Sequence, residues 1–300
     1  MKKFILYFVL ILICNLSLAQ QLPQFTSYQL SPFLYNPAFA GVEGTTQLNA
    51  VIRNQWSGVR EAPQTDVISG YGLLRNENMG LGATAFKDVA GADSRRGITL
   101  SYAYHLRVKN DVSLSLGLSA GFLQYRLDHT IIYPYDDGDP IFNSSILSSV
   151  VPTATFGAYL YADNFYASIS LPQLLTSTFS IKDAYSNNSL IEGGLTNHFF
   201  VGGGYIKNIN DIFTIEPSLL IMLSSPAPAS VELMTKLTYN ELLWTALSYR
   251  FNDAVCMYIG VDIDERFYVA YAHDFVTTEL SKVTSGTNEF KIGFRFNKVK

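Results

Sequence analysis

From Thr45 onward, apolar residues alternate with polar or small ones, segment after segment. That period of two marks strands with two unlike faces. In residues 97–107 one face carries Ile98, Leu100, Tyr102, Tyr104 and Leu106, and the other carries Thr99, Ser101, Ala103, His105 and Arg107. The next segment sets Leu114, Leu116, Leu118, Ala120 and Phe122 against Ser113, Ser115, Gly117, Ser119 and Gly121. Further on, Val231, Leu233, Leu237 and Tyr239 oppose Ser230, Glu232, Lys236 and Thr238. The pattern predicts about 14 strands, near residues 45–56, 65–74, 79–87, 96–107, 112–127, 152–162, 165–172, 198–207, 212–223, 230–239, 242–251, 255–262, 266–275 and 288–296.

Such alternation fits a soluble sandwich as well as a membrane barrel, so connection length has to separate the two. Tight turns rich in Asn and Asp are expected at 75–78, 108–111, 163–164, 208–211, 240–241 and 263–265. Longer loops are expected after the first, third, fifth and seventh strands, the longest being 128–151 and 173–197, with 252–254 a short exception on that edge. Outer-membrane barrels have short periplasmic turns and long external loops, which puts both termini on the periplasmic side. Aromatic residues near strand ends (Trp56, Tyr133, Tyr135, Tyr161, Phe165, Tyr166, Trp244, Phe251, Tyr258, Phe267, Phe275) suit the two interfacial girdles. The last strand places Phe290, Ile292, Phe294 and Phe296 opposite Lys291, Gly293 and Arg295, an aromatic-ended strand of the kind that insertion machinery reads.

Composition points the same way. Of 300 residues only 15% are charged while 48% are hydrophobic, against about 25% charged in soluble domains. With scattered Lys and Arg and a net charge of -4, nothing suggests nucleic-acid binding. Lys2 and Lys3, an apolar run from Phe4 to Cys14, and Ser17-Leu18-Ala19 read as a signal peptide over 1–19, so the mature chain is expected to begin at Gln20. Ile13 before Cys14 disfavours lipidation. Cys256 is then the remaining cysteine, which leaves no internal disulfide and no sulfur-based metal or redox site. No later apolar run reaches the length of a membrane helix, so strands have to do the crossing.

Four chemical motifs carry little. Gly117 to Gly121 reads GLSAG, but the nucleophile elbow needs a strand, a sharp turn and a helix, whereas Ser119 sits inside an alternating strand. Asp136, Asp137 and Asp139 form an acidic loop cluster without the spacing of a calcium hand. His105, His129, His198 and His273 show no ligand spacing, and Gly202-Gly203-Gly204 has no helix after it to make a phosphate loop. No catalytic, metal or cofactor residue is expected. Arg53, His105, Arg107, Glu216, Glu232 and Lys236 are expected in the lumen, where they could pair, line a channel or contact an inserted segment.

The segment before the strands is different. Pro23, Gln24, Phe25, Tyr28 and the run Pro32 to Gly41 (PFLYNPAFAG) do not alternate and are rich in Pro and aromatics. This segment resembles the mature N-terminus of the PorP/SprF family of Bacteroidetes outer-membrane proteins. Arg53, Gln55 and Trp56, then 62–65 (APQT), 102–105 (YAYH), Leu280 and 285–289 (SGTNE) fit in the same order. Ser31, Phe39 and Asn288 depart from common Asn, Tyr and His.

The resemblance implies a type IX secretion component tied to secretion or anchoring of large surface adhesins, gliding adhesins among them. Its implied partners are those substrates, the periplasmic ring lipoprotein and its associated protein. It implies no catalytic residues. The expectation is therefore an all-β, up-and-down transmembrane antiparallel barrel (45–300) in the outer membrane. A periplasmic or lumenal segment (20–44) precedes it, in which Pro23, Gln24, Phe25, Tyr28, Pro32, Tyr35, Asn36, Pro37 and Gly41 bind a partner. A passive porin or small-solute transporter is the alternative.

Overall fold

The structure is a computed structural model that describes residues 25–75, 78–109, 111–128, 146–175, 178–182, 189–194, 197–224, 227–263 and 266–298. The expected signal peptide, Pro23, Gln24, His129, Tyr133, Tyr135 and the Asp136 to Asp139 cluster lie outside the described residues.

Among the described residues seventeen strands follow one another: β1 (Thr45–Asn54), β2 (Gln64–Leu73), β3 (Met79–Ala90), β4 (Asp93–Lys109), β5 (Val112–Asp128), β6 (Ile146–Tyr161), β7 (Phe165–Leu171), β8 (Thr178–Lys182), β9 (Ser189–Gly194), β10 (His198–Tyr205), β11 (Lys207–Asn208), β12 (Phe213–Ser224), β13 (Ala227–Tyr239), β14 (Leu243–Arg250), β15 (Ala254–Ile263), β16 (Phe267–Val276) and β17 (Thr287–Lys298). β8 and β9 pair only with each other, and β11 prolongs β10 against β12. The other 14 strands form one antiparallel ring in which β17 returns to pair with β1 from Asn54↔Asn288 to Thr46↔Phe296. Closure follows from the solvent, because each unpaired backbone group in hydrocarbon costs several kcal/mol and an open edge would carry a row of them.

The ring is apolar outside and polar within, the reverse of a soluble domain. On β4, Leu100 is 68% exposed while its neighbour Ser101 is 7% exposed. On β17, Phe290 is 52% exposed and Glu289 2%. Ile98, Leu118, Phe122 and Ile292 also face outward, while Ser115, Ser119, Asn49 and Arg53 face in. A barrel in water would gain about 1.5–3 kcal/mol by burying each large apolar chain, so a surface of this kind is stable only against lipid.

Two expectations are corrected. The connection after the third strand is not long: β3 and β4 run on to a turn at Gly91 and Ala92, with Gly91 at φ +56. Charged residues interrupt the apolar alternation there, yet they pair across the strands, Asp88 opposite Arg95. Strand continuing beyond the bilayer into water needs no greasy face. The second correction concerns the girdle. Trp244 and Tyr258 are buried, and with Tyr161 and Tyr166 they line a lumenal cavity. Side-chain parity along a strand sets which face a ring takes, and nearness to the strand end does not. Phe251 and Phe275 do face outward.

The turn expected at 240–241 is tight. Asn240 (φ 50) and Glu241 (φ 56) both take the left-handed conformation of a two-residue hairpin loop.

Candidate functional site: the lumenal plug

Residues 25–44 sit inside the barrel. The local sequence makes this segment a chain of turns. Pro32 and Pro37 open two short 3-10 turns, Pro32–Leu34 and Pro37–Phe39, because a fixed φ and a missing N–H suit a helical first position. The Asn36 side chain caps the second by accepting from the Ala38 N–H at 3.0 Å. Ser31 N–H bonds Tyr28 O at 3.1 Å and Val42 N–H bonds Phe39 O at 3.1 Å, so the folded segment satisfies much of its own backbone.

Its side chains reach the wall around the circumference. Phe25, Tyr28 and Tyr35 cluster with Phe200 of β10, with Tyr28–Phe200 at 5.7 Å. Phe33 and Phe39 pack on Tyr71 of β2 and Tyr159 of β6 at 4.4 and 5.2 Å. Asn36 Nδ2 donates to Ala158 O (3.1 Å), Ser168 Oγ (2.8 Å) and Ile169 O (3.2 Å), bridging β6 and β7. His105 Nε2 lies 2.9 Å from Ala40 O. Burial pushes the Tyr28 and Tyr35 phenols well above their ordinary value, so both stay neutral.

The wall is shaped to receive this segment. A Cβ on Gly157 would stand 1.9 Å from Asn36 Oδ1, one on Gly117 2.2 Å from Ala38 N, and one on Gly80 1.9 Å from Ala40 O. Gly117 and Gly157 are register partners on β5 and β6, so a glycine groove seats residues 36–40.

The opposite wall holds the start of the segment through charge. Glu289 Oε2 accepts from Thr26 N–H at 2.8 Å, and its Oε1 accepts from Ser27 N–H at 3.2 Å and from the Ser27 hydroxyl. Arg53 donates to the Thr26 hydroxyl and lies 3.4 Å from Glu289 and 3.5 Å from Asp274. Arg250 pairs with Glu232 at 3.1 Å and Asp274 at 3.6 Å, and Tyr258 OH donates to Thr26 O at 2.8 Å. Two guanidinium groups thus meet three buried carboxylates, and the backbone N–H groups of the plug supply the remaining positive potential at Glu289. Gln29 bonds Glu232 O and Ser218, and Lys291 Nζ bonds Leu30 O at 2.8 Å.

Toward the tight-turn edge the lumen opens into a vestibule of about 620 Å³ roofed by the plug. Glu43, at the base of the plug, is exposed to it. The surrounding wall withholds bulk solvent, and that burial raises the carboxyl, against the pull of Arg295, Lys291 and Lys236.

Of the residues expected to bind a partner, Phe25, Tyr28, Tyr35, Asn36, Pro37 and Gly41 are buried in the lumen, and Pro32 borders the vestibule. Gly41 (φ +92) turns the chain toward β1. Of the expected lumen charges, Arg53 and Glu232 join the buried network and Lys236 pairs with Glu216 at 3.7 Å. Ser119 stands mid-strand opposite Ser101 and Thr155, with no elbow. Sequence reasoning missed Glu289 and Tyr258, which bond the plug, and Asp274 and Arg250, which pair with the charges around them, although all four have inward parity on β14 to β17.

The profile of the type IX secretion system membrane protein PorP/SprF family matches residues 17–294. The chain belongs to the PorP/SprF family. No curated protein matches it. Solved structures give the PorP/SprF chain neighbours in fold. The monoaromatic hydrocarbon channel CymD is 14% identical, with 90% of this chain and 94% of that one covered and a TM-score of 0.52. The Acinetobacter baumannii outer membrane protein Omp33 is 10% identical, with 85% and 100% covered and a TM-score of 0.47. At 14% identity the likeness to CymD shows the barrel fold alone. A closed 14-strand barrel in this family is a multi-pass protein of the cell outer membrane, within the type IX secretion system.

Proposed function

We propose that this PorP/SprF barrel is a non-enzymatic docking and anchoring element. It recognises a secreted surface protein, such as a large adhesin, or links the translocon to the periplasmic ring lipoprotein and its associated protein. The observation that carries this reading is the plug. A lumen filled by the chain's own Pro- and aromatic-rich segment, bonded to β6, β7, β15 and β17, suits holding a partner better than passing solutes. The same observation weighs against the porin alternative. Residues 25–41 then act in docking by fixing the lumen's shape, with Pro32 and the vestibule beneath it in reach of a partner.

Deleting residues 23–41 tests this. The deletion barrel should still insert, gain a steady single-channel conductance that the intact protein lacks, and lose surface display of its cargo. Normal display from the deletion strain would overturn the docking role, and a steady open pore in the intact protein would restore the porin.

A further inference from the structure

The vestibule below the plug is a built cavity. Its roof is Leu30, Pro32, Phe39 and Val42, and its mouth includes Asp111 and Asp163, which stand in the tight turns after β4 and β6. Three aromatic side chains of its wall lie flat over glycines of the neighbouring strand. Trp244 faces Gly260, Tyr268 faces Gly293 and Tyr166 faces Gly204 across the register. A Cβ on those glycines would come within 2.2, 2.1 and 2.6 Å of the respective rings. Any larger residue there would drive a ring into the cavity, so the glycines keep the space open while the middle of the barrel is filled. The volume, about 620 Å³, falls within the roughly 300–1,000 Å³ of pockets that enclose a compact ligand.

Charge selects the occupant. The cations of the β13 and β17 wall are already engaged: Lys236 lies 3.7 Å from Glu216 and over Trp244, Arg295 pairs with Asp262 over Tyr268, and Lys291 holds the plug. Asp111, Asp163 and Arg107 are exposed lining residues with no ion pair among the described residues, two carboxylates to one cation, and Glu43 adds a third acidic group at the base of the plug. Tyr159 and Tyr166, stacked at 5.7 Å, add aromatic surface suited to a cation or to the apolar stem of a lysine. The cavity is roofed by the plug, so whatever enters must leave by the same mouth, which serves retention better than transport.

We propose that this vestibule binds an extended, Lys- or Arg-bearing polypeptide segment presented from the periplasmic side. The inference rests on the docking reading and names the chemistry of its partner.

The mature protein in nanodiscs should bind a labelled ten-residue peptide of alternating Lys and Gly, with an affinity that falls as salt rises. The corresponding Glu-Gly peptide should not bind. The pair Asp111→Asn and Asp163→Asn, in exposed turns where folding is safe, should weaken binding about tenfold, and Ala270→Trp, which fills the cavity from β16, should abolish it. Equal binding of the Glu-Gly peptide, or binding unchanged in both variants, would overturn the assignment. Displacement by spermidine at the peptide's own concentration would overturn it in favour of a small cation. If the protein displays cargo in cells but binds no Lys-Gly peptide, this inference fails and the docking role, tested by the plug deletion, stands.

Discussion

Glu289→Ala should release the start of the plug without unfolding the barrel. In the native protein Glu289 accepts the Thr26 N–H at 2.8 Å and the Ser27 N–H at 3.2 Å, deep in the lumen. Each buried N–H left without an acceptor costs about 1–3 kcal/mol. Arg53 also loses one carboxylate, but Asp274 remains 3.5 Å away, so only part of the roughly 3–5 kcal/mol for orphaning a buried charge applies. Water entering the space left by the carboxylate offsets some of this. A net cost of about 3 kcal/mol corresponds to an opening equilibrium about a hundredfold more favourable. Amide hydrogen exchange of residues 25–31 in nanodiscs should accelerate by about that factor, while exchange in β3 to β6 stays unchanged. Glu289→Gln, which keeps one acceptor oxygen, should show about a tenth of the effect. Exchange of 25–31 unaltered in Glu289→Ala would refute the idea that this carboxylate holds the plug.

The remaining expectations address other parts of the barrel. Gly157→Val places side-chain atoms where Asn36 Oδ1 now sits 1.9 Å from the ideal Cβ position, so it should expel residues 36–40 and raise single-channel conductance with insertion intact; unchanged conductance and unchanged plug exchange would count against the groove. Leu100→Lys, mid-strand and facing lipid, should destabilise the barrel by about 2–4 kcal/mol in vesicle unfolding titrations, whereas the lumenal Ser101→Ala should be close to neutral; equal effects would contradict the assigned faces. Because burial raises the Glu43 carboxyl above its unfolded value, its contribution is fully present at pH below that unfolded value and is lost as pH rises through the folded one. Thermal unfolding of wild type should therefore lose stability across that rise relative to Glu43→Gln, and parallel pH profiles would show that the carboxyl is not raised.

The barrel was legible because lipid imposes a simple rule. Alternation such as Leu100 against Ser101 recurs wherever a strand crosses the bilayer, so strand number and approximate positions could be read without any partner in view. The rule ends where the strands leave the bilayer. Residues 88–95 lose their alternation and read as a loop, although β3 and β4 continue there through polar cross-strand pairs such as Asp88 and Arg95. Aromatic residues near strand ends misled for a related reason, since Trp244 and Tyr258 share the inward parity of their strands and interface position alone does not reveal it.

The plug was visible as an anomaly, a Pro- and aromatic-rich stretch that could be neither strand nor helix, but its seat was not. Gly117 and Gly157 look like ordinary small strand residues until the register puts them side by side beneath Asn36 and Ala38. Glu289, Arg53, Asp274 and Arg250 are separated by up to 236 residues of chain and meet only because β17 closes on β1. Long-range pairing of this kind leaves no local signature.

A cysteine crosslink addresses the lumenal seat of the N-terminal segment most directly. Asn36 Nδ2 lies 2.8 Å from Ser168 Oγ on β7. In a Cys256→Ser background, the pair Asn36→Cys and Ser168→Cys should be joined by a short bis-methanethiosulfonate crosslinker in intact cells, linking the proteolytic fragments that carry residues 36 and 168. Free thiols at both positions, open to a membrane-impermeant maleimide, would show that the segment lies outside the barrel.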